Sequence, residues 1–290
     1  MNKIVVILGQ TATGKSDLAV KIARKINGEI ISADSRQVYE GLDIGTGKIT
    51  MKDMRGITHH LLGVANPKKK FTIVNFQKLE NEKIKEILKR GKTPIICGGT
   101  GFYIDAVTKG VIFPQVPPHI KLRKNLDKKS TSELFKILKK LDSARAKNIK
   151  KKNEQKNKVR LIRTIEIAKA LGKVPKITEV LPQYKFIKIG LYLPSEILKK
   201  KIETRVKKMF AKKNSGGLLN EIKKLKKSGV SEKRLRELGF EYFHPTPDKV
   251  IKQTLKYAKR QMTWFKRDKE IKWFTNSSDA FVWLPKPSAE

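Results

Sequence analysis

Residues 4–8, IVVIL, form an unbroken apolar run with no alternation, the pattern of a strand covered on both faces. After a glycine-rich break, Leu18, Ile22 and Ile26 recur every four residues, which predicts one face of a helix ending at Asn27-Gly28. EIISADS (29–35) reads as a second short strand that closes on Asp34. Residues 75–91 return to helical spacing, with Phe76, Leu79, Ile84, Ile87 and Leu88 inward and Gly91 as the stop. TPIICGGTG (93–101) is then a third strand opening into glycines. Strands and helices alternating in this way predict an α/β fold, a parallel sheet with helices on its faces.

The rhythm changes after residue 112. FPQVPP (113–118) has linker composition, and Ser130 and Glu133 show capping-box spacing ahead of Leu134, Leu138 and Leu141. A second helix is predicted over 157–171, stopping at Gly172. FIKIGLYLP (186–194) then resumes strand alternation, with Ile187, Ile189, Leu191 and Leu193 on one side. The predicted organisation is a sheet domain formed by 1–112 and 183–290, interrupted by a helical insertion over 113–182.

Charge changes the picture. The 290 residues carry 66 Lys+Arg against 27 Asp+Glu, a net +39, so a polyanion is the expected partner, nucleic acid first and an anionic membrane surface second. A single cysteine, Cys97, excludes an internal disulfide and fits a reducing compartment. Met1-Asn2-Lys3 leads straight into the first strand, so no secretory leader is expected. No apolar run approaches the roughly 20 residues of a membrane span, and a cytoplasmic location without membrane contact is the expectation. His59, His60, His119 and His244 lack metal-site spacing.

GQTATGKS (9–16) satisfies G-x-x-x-x-G-K-[ST] between a predicted strand and helix. Backbone N–H groups there point at an anion, Lys15 adds a formal charge, and the Ser16 hydroxyl is a ligand for Mg²⁺. The motif specifies a diphosphate and a metal, without specifying a nucleoside triphosphate. The later strand PIIC ends in Gly98-Gly99-Thr100 and not in an acid. Asp34, the one acid at a strand end, either supports the metal, acts as a base on an acceptor, or caps a turn. In SEILKKKIETRVKKMF, Leu198, Ile202 and Met209 mark an inward stripe that Arg205 shares; a guanidinium aimed there needs an anion. The alternative has Val206 inward and Arg205 at the edge. YAKRQMTWFKR (257–267) interleaves cations with Tyr257, Trp264 and Phe265. Leu255, Ala258, Met262 and Phe265 form a core stripe, which leaves Lys259, Arg260, Lys266 and Arg267 for RNA.

GQTATGKS, SADSRQVYEGLDIGTGK (32–48), HHL (59–61), CGGTGFYIDA (97–106), PQYKFIKIGLYL (182–193), IETRV…M (202–209) and YAKRQMTWFKR, in this order over residues 4–267, resemble the tRNA dimethylallyltransferase family. The resemblance implies a P-loop NTPase-like fold. It also implies transfer of a dimethylallyl group from dimethylallyl diphosphate to the exocyclic amine of the adenine 3′ of the tRNA anticodon. It assigns Gly9, Gln10, Thr11, Ala12, Thr13, Gly14, Lys15 and Ser16, with Arg205, to the diphosphate and Ser16 to Mg²⁺. Asp34 becomes the base, working with Thr11, Lys15 and Arg205. Asp34, Ser35, Arg36, Gln37, Thr100, Gly239 and Phe240 fall to the target nucleotide, and Arg123, Arg160, Arg163, Lys259 and Arg260 to the rest of the anticodon stem-loop. Four positions depart from the family pattern: Gln10 for proline, Gly63 for an acid, Glu237 for a small residue and Phe240 for tyrosine. KKNEQKNKVR (151–160) is a lysine-loaded version of the stretch before the second insertion helix. No zinc finger is expected, and a monomer is. The competing functions are an adenylate isopentenyltransferase acting on free nucleotide, a P-loop nucleoside or metabolite kinase, and a nucleic-acid-binding protein with a vestigial loop. The insertion and the charge count against the first, the missing strand-end acid and Arg205 against the second, and the intact Gly9, Gly14, Lys15 and Ser16 against the third.

Overall fold

The opening apolar run forms β1 (Lys3–Gly9) in the computed structural model of the chain, which describes residues 2–176, 178–181, 183–211 and 216–284. There follow α1 (Lys15–Lys25), β2 (Gly28–Ser32), α2 (Met51–Met54), β3 (His59–His60), α3 (Ile73–Lys89), β4 (Thr93–Cys97) and α4 (Gly101–Thr108). Next come β5 (Val111–Ile112), α5 (Ile120–Asp127), α6 (Thr131–Leu141), α7 (Ser143–Lys151), α8 (Lys158–Leu171) and β6 (Thr178–Glu179). The chain continues through β7 (Lys185–Leu191), α9 (Ser195–Phe210), α10 (Gly217–Lys227), α11 (Glu232–Leu238), α12 (Pro247–Phe265), β8 (Lys272–Phe274) and α13 (Ser277–Trp283). It divides into two compact units, residues 1–110 with 181–290, and residues 111–180. Pro182, the expected end of the insertion, lies outside the described residues.

In the first unit six described strands form one sheet in the order β3-β2-β4-β1-β7-β8, every neighbouring pair parallel. The sheet is α/β as expected. Alternate residues of β1 serve opposite faces. Ile4, Val6 and Leu8 pack with Phe76 of α3, Ile104 of α4, Ile202 of α9 and Ala258 of α12. Val5 and Ile7 pack with Leu18 and Ile22 of α1 and Ala280 of α13. Both faces are therefore covered, which is why β1 reads as continuous apolar sequence. Because all strands run the same way, Gly9, Ser32, Cys97 and Leu191 end at one edge of the sheet, where ligands of such folds bind. The second strand stops at Ser32, three residues short of the expected end, because Asp34 turns the chain: its Oδ1 accepts from the N–H groups of Arg36 (2.9 Å) and Gln37 (3.3 Å). The two-residue β3 is too short to carry a period and so has no signature in the sequence.

The second unit has its own core, built from Leu126, Leu134, Leu138, Ile149, Leu161 and Ile165. The capping box at Ser130 and Glu133 is formed in both directions. No helix among the described residues is long and apolar enough to cross a membrane, and Cys97 is buried.

Candidate active site

The loop after β1 is shaped by its glycines and closed by its own side chains. Gly9 sits at φ +132°, where a Cβ would fall 2.1 Å from the Leu191 carbonyl oxygen, and Gly14 opens α1 at φ +90°. The Gln10 carbonyl accepts from Lys15 Nζ (2.5 Å) and Thr13 Oγ1 (2.8 Å), so the residue in place of the expected proline is buried and is the loop's anchor. Burial pushes the Lys15 ammonium down to about 8; Arg205 adds to that, while Cys97 and Asp34 oppose it. Ser16 follows at the first turn of α1 and is exposed.

Gln261 of α12 is a site residue that sequence reasoning missed. Its Oε1 accepts from Thr11 N–H and its Nε2 donates to the Gly99 carbonyl, both at 2.8 Å, tying the phosphate loop to the glycines after β4. A Cβ on Gly99 would lie 2.2 Å from that Nε2. The signal was present: Gln261 lies three residues after Ala258 and four before Phe265, a buried amide on an apolar stripe.

Both readings of α9 hold in part. Val206 is the buried core residue, and Arg205 reaches the phosphate loop, donating from Nη1 to Thr11 Oγ1 (3.3 Å) and from Nη2 to the Thr46 carbonyl (2.7 Å). Gly47, at φ +59°, makes room for it, since a Cβ there would fall 2.1 Å from Nη2. Burial pushes the Arg205 guanidinium below its ordinary range, with Asp34 and Glu241 pulling the other way. Among the described residues no carboxylate lies within ion-pair distance of it. The segment that receives Arg205 is held by Glu221 of α10. Its Oε2 accepts from Asp43 N–H (2.9 Å) and Ile44 N–H (2.6 Å), and its Oε1 from Gly45 N–H (3.0 Å) and Tyr242 OH (2.8 Å).

Asp34, Thr11, Thr46, Arg205, Arg36 and Glu241 form the polar side of one pocket, and Ile202, Val206, Met209 and Val250 its apolar side. Asp34 caps its turn through Oδ1 only. Arg36 Nη1 donates to both oxygens of Glu241 (2.7 and 2.5 Å), with its guanidinium 4.8 Å from the Phe240 ring centre and 5.5 Å from that of Tyr257. Phe240 thus meets the guanidinium through its ring and needs no hydroxyl for that contact. Gly239 beneath this pair has φ +155°, a backbone conformation that residues with side chains rarely adopt, and a Cβ there would stand 2.7 Å from Glu241 Oε2. Thr100 Oγ1 accepts from Ser35 N–H (3.0 Å) and bonds the Tyr257 side chain, while Gln37 Nε2 lies 3.4 Å from the carbonyls of Thr46 and Gly47.

The remaining expected contacts are on α12 and in the second unit. Lys259 and Arg260 are exposed on α12. In the second unit, Arg123 donates to both oxygens of the buried Glu166 (2.8 and 2.6 Å), Arg163 donates to the same carboxylate and to the Val116 carbonyl (2.9 Å), and Arg160 pairs with Glu154. Burial alone would raise the Glu166 carboxyl; its Arg123, His119 and Arg163 donors bring it down to about 2. Of the other departures, Gly63 stands at φ +60° and Glu237 pairs with Lys70 (3.1 Å) and Arg234 (3.0 Å). Among the described residues no group of three His, Cys, Asp or Glu side chains could hold a metal ion.

The site can therefore hold an anion between the loop and a desolvated guanidinium, next to a carboxylate and an apolar wall. The family model described as IPP transferase matches residues 37–268. The tRNA dimethylallyltransferases of Anoxybacillus flavithermus and Carboxydothermus hydrogenoformans are 36% and 37% identical, each over 96% of this chain and 91% and 93% of their own. The crystal structure of the tRNA isopentenylpyrophosphate transferase from Bacillus halodurans superposes with TM-score 0.69 at 31% identity, over 97% of this chain and 94% of that one. A eukaryotic dimethylallyltransferase acting on tRNA reaches TM-score 0.78 at 25% identity, over 98% of this chain and 76% of its own. With a family model over most of its length and relatives more than a third identical from end to end, the chain belongs to the IPP transferase family.

Proposed function

We propose that this protein transfers the dimethylallyl group of dimethylallyl diphosphate to the exocyclic amine of the adenine 3′ of the tRNA anticodon. The observation that carries this reading is Arg205. It is a desolvated guanidinium on a half-buried side chain, with no carboxylate among the described residues within ion-pair distance. It bonds Thr11 of the phosphate loop and shares its pocket with Asp34 and an apolar wall. An allyl diphosphate supplies what that pocket lacks, an anionic head for Thr11, Lys15 and Arg205 and a short apolar tail for Ile202, Val206 and Met209.

The chemistry follows from the charges. The adenine amine is a weak nucleophile, since its lone pair is delocalised into the ring. Its nitrogen bonds to the allyl carbon as the carbon–oxygen bond to diphosphate breaks. Negative charge then builds on the leaving oxygens, where fixed cations and amides each contribute about 3 kcal/mol. The amine proton passes to the Asp34 carboxylate, whose Oδ1 is held by the turn; a positioned base of this kind contributes on the order of 10²–10⁴-fold. The exposed Ser16 hydroxyl is a hard oxygen donor of the kind Mg²⁺ takes; it would hold that ion, which when bound would neutralise leaving-group charge. The extruded base needs Ser35, Thr100 and the Arg36–Phe240 corner as its walls. The 111–180 unit, with 20 Lys+Arg against six Asp+Glu, supplies the grip on the anticodon arm.

The test incubates the protein with Mg²⁺, labelled dimethylallyl diphosphate and either tRNA or AMP. Label in tRNA is the expected outcome. Label in AMP alone would reassign the protein to free-nucleotide prenylation, and label in neither would overturn both.

A further inference from the structure

The pocket beside Arg205 has a direction that the chain itself sets. The N–H of Leu193, just after β7, lies 3.5 Å from Gln10 Oε1, so α9 starts beside the phosphate loop and leads away from it. α12 runs the other way: Gln261 near its C-terminal end bonds Thr11, and Tyr257 one turn earlier bonds Thr100. Met209 of α9 and Val250 of α12 are therefore the lining residues farthest along each helix from the loop. Met209 stands one turn beyond Arg205, about 6 Å along the axis, and Val250 about two turns before Tyr257.

That far end is apolar and packed. Met209 is 7% exposed and Val250 1%. The Thr254 hydroxyl between Val250 and Tyr257 donates to the Val250 carbonyl (2.7 Å), so its proton needs no further partner. The cavity holds about 40 Å³, room for about three waters at the roughly 10–15 Å³ that each requires. A branched five-carbon group suits a space of that order. A ten-carbon chain adds a second isoprene unit, which would have to displace the Met209 and Val250 side chains, and a close-packed interior resists that.

We infer that Met209 and Val250 set the length of the allyl chain that the protein accepts, admitting one isoprene unit and turning away two. This rests on the reading that an allyl diphosphate is the donor. The diphosphate and the first double bond are the same in dimethylallyl and geranyl diphosphate, so the loop, Arg205 and Asp34 cannot tell the two apart. Discrimination has to come from the wall that the end of the tail meets. Substitution there changes the choice of donor and leaves the grip on the anion in place.

The test measures kcat/KM for labelling tRNA with dimethylallyl and with geranyl diphosphate, in the wild-type protein and in Met209→Ala, Val250→Ala and Met209→Phe. The wild-type protein should favour the shorter donor about 100-fold or more. Each alanine variant should cut that ratio about tenfold or more, and Met209→Phe should lower kcat/KM for dimethylallyl diphosphate by a similar factor. Affinity for inorganic diphosphate should stay at the wild-type value in all three. A wild-type protein that uses both donors equally overturns the length limit and leaves prenyl transfer standing. An unchanged ratio in both alanine variants, or a matching loss of diphosphate affinity, also overturns it, by making the two side chains packing residues alone. A wild-type protein that labels tRNA from neither donor overturns the donor reading and the length limit with it.

Discussion

Burial decides what two charged side chains of the first unit can do. Lys15 is enclosed by the phosphate loop and titrates at about 8, so the free protein keeps its ammonium at neutral pH and loses it above. Affinity for inorganic diphosphate should hold steady up to pH 8 and then fall, approaching tenfold per pH unit as protonation has to precede binding. Calorimetric titration from pH 7 to 10 checks this, and Lys15→Gln should bind weakly with the step gone. Glu80 on α3 is the opposite case, fully buried with neither carboxylate oxygen bonded, and burial pushes its carboxyl well above the ordinary range. The folded protein therefore holds a proton that the unfolded chain releases near 4.5. The resulting stability is complete below that value and is lost as pH rises toward the folded one. Glu80→Met should stabilise the protein at pH 8 by about 1–3 kcal/mol and by less at pH 4, read from urea unfolding at both. A larger gain at pH 4 would contradict the buried, protonated state.

At the scale of elements, the site is a set of loops held by helices from far along the chain. Gly47 shows the tolerance: Gly47→Ala puts a methyl where Arg205 Nη2 lies and asks a side-chain-bearing residue to adopt φ +59°. Diphosphate affinity should fall at least tenfold with the unfolding free energy lowered by only about 1–2 kcal/mol; equal affinity in the variant would mean that Arg205 does not meet the anion. The contrast with β1 and its loop explains which features were legible in the sequence. The strand, the glycine turn and the helix α1 are legible within 25 residues, because an apolar run, a glycine motif and a helical period are local patterns, even though the strand's own pairing partners lie far along the chain. The capping box at Ser130 is legible because its hydrogen bonds are local. Arg205 was half legible, since helical spacing gives the direction of a face and says nothing of how far a long side chain reaches beyond it. Gln261 bonds a residue 250 positions away and Glu241 one 205 away, and no local period encodes such a partner. Spacing alone leaves the arginines of the insertion as free cations, although Glu166 stands three residues after Arg163. Buried ion pairs of that kind are visible in sequence only when the acid is known to point inward.

At the scale of the whole molecule the question is which of the 66 basic residues meet RNA. In the second unit, Arg123 and Arg163 are tied to the buried Glu166 and Arg160 to Glu154, whereas Lys139, Lys140, Lys147, Lys150, Lys151 and Lys152 are exposed on α6, α7 and just beyond. The two groups should fail in different ways. Replacing Lys147, Lys150 and Lys151 by serine should leave thermal unfolding unchanged and weaken tRNA binding. The slope of log K against log salt should become shallower by about 0.7–0.9 for each phosphate that is no longer neutralised. Turnover at saturating tRNA should hold, because a phosphate contact positions the RNA and takes no part in the chemical step. Arg123→Ala removes two hydrogen bonds from a buried carboxylate and should lower the melting temperature, with a loss of about 3–5 kcal/mol typical of breaking such a pair. Salt titrations and melting curves on the two variants decide the matter. An unchanged salt slope in the lysine variant would mean that the charge of these helices is solvated decoration, and an unchanged melting temperature in Arg123→Ala would return that guanidinium to the RNA.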